Sequence, residues 1–145
     1  MQKNITWNTY LAFVRLWLGK SMIAGGQSVL TLFTANRSFF IHWFGHDLGF
    51  PAPLLMAFLA KVTEFVGGIL VCLGLFTRVS ATLIAVDMPV ATLVANIDYH
   101  HIDHLFRQDA LITISSFLFS CLLIIKGAGR YSLDNITFQK KYRFI

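Results

Sequence analysis

The chain has 145 residues, 56% of them hydrophobic and 13% charged, with a mean hydropathy of +0.64. Soluble domains carry about a quarter charged residues, so this composition excludes an ordinary water-soluble protein, and the length leaves no room for a separate soluble catalytic domain. The net charge of +5 could suit nucleic acid, but the placement of the cations assigns it elsewhere.

A helix needs about 20 apolar residues to cross a bilayer, and four segments supply them. The first, about Tyr10–Phe33, outlasts a secretory apolar region and is followed by no small-residue cleavage site, which predicts a retained span. The connection after it, Thr34–Pro51, has an aromatic centre, SFFIHWF, expected to lie in the headgroup region. The second span, about Ala52–Phe76, is joined to the third, about Val79–Ile97, by Thr77–Arg78 alone, which predicts an antiparallel hairpin. Asp98–Arg107 then leads to the fourth span, about Gln108–Ile125. The expected fold class is all-α, a polytopic bundle of four transmembrane helices forming one domain over residues 1–145.

An even number of spans puts both termini on one side. That side carries Lys3, Arg78, Lys126, Arg130, Lys140, Lys141 and Arg143, against Arg37 and Arg107 on the other, so both termini are expected in the cytoplasm. The positive charge is then a topology signal that suits anionic headgroups, and nucleic acid drops out as a partner.

Several ionisable residues fall inside the apolar runs: Arg15 and Lys20 in the first, Lys61 and Glu64 in the second, Asp87 in the third, with Asp109 opening the fourth. Each costs roughly 2.5–3.5 kcal/mol at the centre of a lipid-exposed helix, so they are expected to face the bundle axis and offset one another. Lys61 and Glu64 are spaced to meet on one helix face. Such a cluster serves either as a structural ion-pair network or as a polar pocket. The pocket reading names Glu64, Asp87 and Arg15 as catalytic and Lys61, Lys20 and Asp109 as ligand-binding. Gly19, Gly25, Gly26, Gly67, Gly68 and Gly74 favour close helix approach, and Pro89 predicts a kink beside Asp87.

All five histidines, His42, His46, His100, His101 and His104, sit in the two connections expected outside. Their spacing could hold a metal ion or a haem iron, or they could be ordinary interfacial residues. Cys72 and Cys121 lack a redox-motif spacing and are expected to be inert packing residues.

FVRLWLG at Phe13–Gly19, EFVGGILVCLGLFTRVSATLIAVDM at Glu64–Met88 and GAGRYSLD at Gly127–Asp134 resemble the DoxX family, in order and over nearly the whole chain. The resemblance implies a small four-helix protein of the bacterial inner membrane. Relatives include the membrane subunit of an archaeal thiosulfate:quinone oxidoreductase and proteins linked to quinone or thiol stress, some acting with partners in membrane redox complexes. Arg15, Glu64, Asp87 and Asp109 match charged positions of the family, whereas Lys20, Lys61 and the GAGR sequence depart from its pattern. Two functions stay open. One is an integral membrane subunit of a quinone-linked redox system, possessing no flavin, nicotinamide or iron–sulfur fingerprint of its own and so dependent on a bound quinone and a protein partner. The other is a non-catalytic binding or assembly protein for a small molecule, a lipid or a metal held by the histidine-rich connections.

Overall fold

The computed structural model describes the backbone of residues 2–92 and 108–136 and, within these, the side chains of 7–46, 48–92 and 111–136. The described residues are helical or irregular, with no strand among them. Helix α1 spans Gln2–Gly26 and tightens into a 3-10 turn over Gln27–Thr31. A short helix α2, Arg37–Ile41, runs into a π-helical turn at His42–Asp47. Helices α3 (Pro53–Leu73), α4 (Thr77–Val90) and α5 (Gln108–Lys126) follow. Among the described residues α3 alone is long and apolar enough to cross a membrane, and the apolar stretch of α5, Leu111–Lys126, is shorter.

Local chemistry sets these boundaries. Pro53 opens α3, where its missing N–H has no intrahelical partner to lose. Gly74 closes it in a left-handed conformation (φ 68°), with Leu75 N–H donating to Leu70 O at 2.9 Å and Gly74 N–H to Val71 O at 3.1 Å. The hairpin between α3 and α4 is therefore Gly74–Leu75–Phe76, not Thr77–Arg78, which form the first turn of α4. The free N–H groups of that turn find an acceptor far along the chain. Asp134 Oδ1 accepts from Phe76 N–H at 2.8 Å and Oδ2 from Thr77 N–H at 3.0 Å, while Asp134 N–H donates to Gly74 O.

α1 packs chiefly on α3, and α4 lies between α3 and α5. Glycines make the first contact possible: a Cβ on Gly68 would stand 2.9 Å from Gly19 O, and one on Gly26 would overlap the backbone of Phe65. The main core joins Leu11, Val14, Leu18, Val71, Ile84 and Leu123 across all four long helices. A second core forms where the α2 segment folds back on α3, burying Leu32, Phe40 and Phe44 against Ala57. Phe40 and Phe44, one turn apart, supply the inward face of this segment, so the expected headgroup stretch is packed onto the bundle as well as exposing Phe39 and Ile41.

Candidate functional site

On α3, Lys61 and Glu64 are one turn apart, and Lys61 Nζ donates to both Glu64 carboxylate oxygens, at 2.9 and 2.8 Å. Glu64 is 7% exposed and the Lys61 side chain is largely buried with it. Across the α3–α4 hairpin stands Asp87, close enough for its charge to act on both members of the pair. The hairpin register explains the meeting, because Glu64 and Asp87 lie about equally far from the turn at Gly74–Phe76. Asp87 Oδ2 is buried and has no hydrogen-bond partner among the described residues. A buried carboxylate oxygen without a donor costs free energy, and a ligand or water bearing an O–H would recover it.

Two cavities share the Lys61–Glu64 pair as a wall. The smaller, about 400 Å³, lies between α3, α4 and the 43–50 segment and is lined by Trp43, Phe44, Phe50, Lys61, Glu64 and Asp87 among others. The larger, about 720 Å³, lies on the α1 side and is bordered by Trp17, Lys20, Ser21, Lys61, Glu64 and Thr113. Gly25 stands at this border, where a Cβ would come within 3.0 Å of Glu64 Oε2. Trp43 lines both cavities. It was absent from the sequence candidates because it falls in a connection, and its one signal was the density of aromatic residues around it. Near the same level Thr92 Oγ1 donates to Met88 O at 2.8 Å and shares a 2.8 Å hydroxyl bond with Thr113, tying α4 to α5. Pro89 lies inside α4, and the helix widens to a π-type turn at residues 91–92.

Arg15 does not join this cluster. It is 4% exposed, and its guanidinium donates to Ala128 O at 2.9 Å and to Tyr131 O, beside Asp134 and against Gly74. Ten residues of α1 separate it from Gly25, which touches Glu64, a distance of roughly 15 Å along the axis. Arg15 and Asp134 thus form a clamp that fixes the GAGRYSLD segment over the α3–α4 turn. Lys20 is exposed at the rim of the larger cavity. The Asp109 side chain lies outside the described residues, as do His100, His101 and His104. His42 and His46 are exposed and stacked, with ring centroids 4.9 Å apart. No group of three or more metal-ligating side chains occurs among the described residues.

The arrangement defines a helical protein with apolar outer faces and a small cluster of ionisable groups between its helices. The chain belongs to the DoxX family, a family of membrane proteins, which residues 10–97 match. A protein of Haemophilus influenzae strain Rd, described as uncharacterized, is 31% identical over 134 residues, which cover 90% of this chain and 92% of that relative. No solved structure matches the chain.

Proposed function

We propose that this protein is the membrane subunit of a quinone-linked redox system. In this reading α1, α3, α4 and α5 each cross the inner membrane, both termini are cytoplasmic, and the smaller cavity binds a quinone or a similar small molecule. The supporting pattern for the spans is an inverted one: Phe13, Leu16, Val66, Val86, Leu118 and Ile125 are exposed, while Glu64, Ser80, Ser116 and Ser120 are buried. In lipid the apolar residues are in their preferred solvent and the polar ones are sheltered.

The observation that carries the ligand reading is the unpartnered Asp87 oxygen beside the Lys61–Glu64 pair in a cavity walled mainly by apolar and aromatic side chains, with Thr63 among them. These residues fit a quinone head group. The Lys61 ammonium can donate to a quinone carbonyl, Asp87 can accept from a hydroquinone hydroxyl, and Trp43, Phe44 and Phe50 offer ring faces. A bound quinone supplies two-electron chemistry coupled to two protons. This chain's part is to hold the ring away from water and to exchange protons at the Asp87 and Glu64 carboxylates, with electrons passing to or from a partner protein. The test is thermal unfolding of the purified protein with and without added quinone. Stabilisation that is lost in Asp87→Asn and Glu64→Gln supports the reading; no shift in the unsubstituted protein rejects it.

A second reading rests on the His42–His46 stack, which presents two imidazoles on one exposed face. Here the protein is a non-catalytic binder of a metal or haem, with His100, His101 or His104 completing the ligand set. Elemental analysis and a haem spectrum decide it: metal retained in the purified protein and lost in His42→Ala favours it, and metal-free protein removes it.

A further inference from the structure

The walls of the smaller cavity are unequal. Among the described residues its charge lies at one end, in Lys61, Glu64 and Asp87, and its roof is the folded-back segment with Trp43 and Phe44. Its outer edge is made of aliphatic side chains that are themselves largely exposed: Leu59 of α3 at 50%, and Leu83, Val86 and Val90 of α4 at 52%, 66% and 44%. A cavity edge of exposed aliphatic residues on the outward faces of two adjacent helices opens sideways, toward whatever surrounds the bundle. Asp87 lies about 15 Å along α4 from its start, half a bilayer core in depth.

We propose that the smaller cavity is loaded laterally from the bilayer, through the gap between Leu59 on α3 and Leu83, Val86 and Val90 on α4, by a neutral ligand with a compact polar head and one hydrocarbon tail. The head seats at Asp87 and Lys61 and the tail runs out over Val86 into lipid. This rests on the ligand reading above and extends it by fixing the route and the ligand class. Volume is in keeping with it: about 400 Å³ is ample for a ring-sized head, and the exposed aliphatic edge supplies the surface along which a tail leaves. Charge complementarity fixes the head. The charged end presents one cation already bonded by Glu64, plus a second carboxylate, so an anionic head such as a fatty-acid carboxylate meets net repulsion, whereas a neutral head with carbonyl or hydroxyl groups finds both a donor and an acceptor.

The test uses the full-length protein in lipid nanodiscs and reads the ligand concentration giving half-maximal thermal stabilisation. The probes are a benzoquinone bearing a decyl tail, the same ring with a methyl in place of the tail, and decanoate. Val86→Trp and Leu83→Trp narrow the gap from its exposed side, and Leu118→Trp, on the exposed face of α5, is the control for bulk on a lipid-facing surface. The expected result is that Val86→Trp and Leu83→Trp weaken the tailed quinone roughly tenfold or more while changing the tailless ring by about twofold at most, because only the tail contacts are displaced. Leu118→Trp leaves both unchanged, and decanoate does not compete. Equal losses for the two rings, or equal effects of Leu118→Trp, overturn the lateral route while leaving the quinone reading in place. Competition by decanoate overturns the neutral-head assignment. If neither ring stabilises the unsubstituted protein, the quinone reading fails and the route fails with it.

Discussion

At the scale of single residues, the pair that matters most is Lys61 with Glu64. An ion pair in apolar surroundings gains little over a well-packed aliphatic pair, but breaking it strands one charge without its partner. Glu64→Gln is therefore expected to cost about 3 kcal/mol of stability, read by chemical or thermal unfolding in detergent. The joint replacement Lys61→Met with Glu64→Leu should restore most of that loss and still abolish quinone-dependent stabilisation. A double variant that keeps quinone binding would make the pair structural only. Arg15 makes the opposite prediction. Arg15→Lys cannot bridge two carbonyls in a fixed fork, so it should lower stability by about 2 kcal/mol while leaving the quinone concentration dependence unchanged. A shift in that dependence would return Arg15 to the cavity. The sequence made the burial of Arg15, Lys61 and Glu64 legible, because lipid penalises the alternative. Lys20, expected to turn inward with them, stands exposed at the rim of the larger cavity. The sequence did not divide the buried charges into two clusters, because that depends on how deep each lies once α1 and α3 pack side by side. Rise per residue was the available signal, and it separates Arg15 from Glu64.

Among the elements, the α3–α4 hairpin shows what sequence pattern can and cannot place. The antiparallel pairing follows from the shortness of the connection, and Gly74 is a recognisable helix stop. Thr77–Arg78 reads as a loop because it is polar amid apolar residues. It is helical because Asp134, more than fifty positions away, accepts from the first N–H groups of α4. A local pattern has no view of a cap delivered from such a distance. The consequence is testable: Asp134→Asn keeps the shape but removes the charge at the helix N-terminus and should cost about 1 kcal/mol, with Asp134→Ala costing more. An unchanged unfolding midpoint in both would show the cap to be incidental. The α2 segment carries information that composition alone does not separate. Its aromatic density suits a headgroup stretch, yet Phe40 and Phe44 repeat at helical spacing and bury against Ala57, which puts Trp43 over the site. The glycine spacing predicts close helix approach, and the contacts of Gly19, Gly26 and Gly68 bear this out.

For the whole molecule, the described outer faces are apolar where a soluble protein's are polar, and several hydroxyls join the apolar core. Hydroxyls of Ser116 and Ser120 are fully buried in α5, and Ser120 Oγ satisfies itself on Ser116 O at 2.7 Å, while Leu118 and Ile125 on the same helix face outward. Burying serine and exposing leucine is unfavourable in water and favourable in lipid, where small polar residues let helices approach and aliphatic ones meet acyl chains. Composition made this legible before any element was placed. Which side of the membrane each end occupies depends instead on the cations flanking the helices. Arg78, Lys126 and Arg130 gather at one end, with Lys126 over the Trp7 ring at 5.9 Å, and Arg37 stands at the other. Both termini are thus expected in the cytoplasm. Fusing a fluorescent reporter that matures only in the cytoplasm to each terminus in turn should give signal from both. A cysteine at Ser38, in a chain with Cys72 and Cys121 changed to alanine, should react with a membrane-impermeant maleimide in spheroplasts. Signal from one terminus alone would mean an odd number of crossings, and a Ser38 cysteine labelled only after lysis would invert the molecule, moving the histidine-bearing turn to the cytoplasmic side.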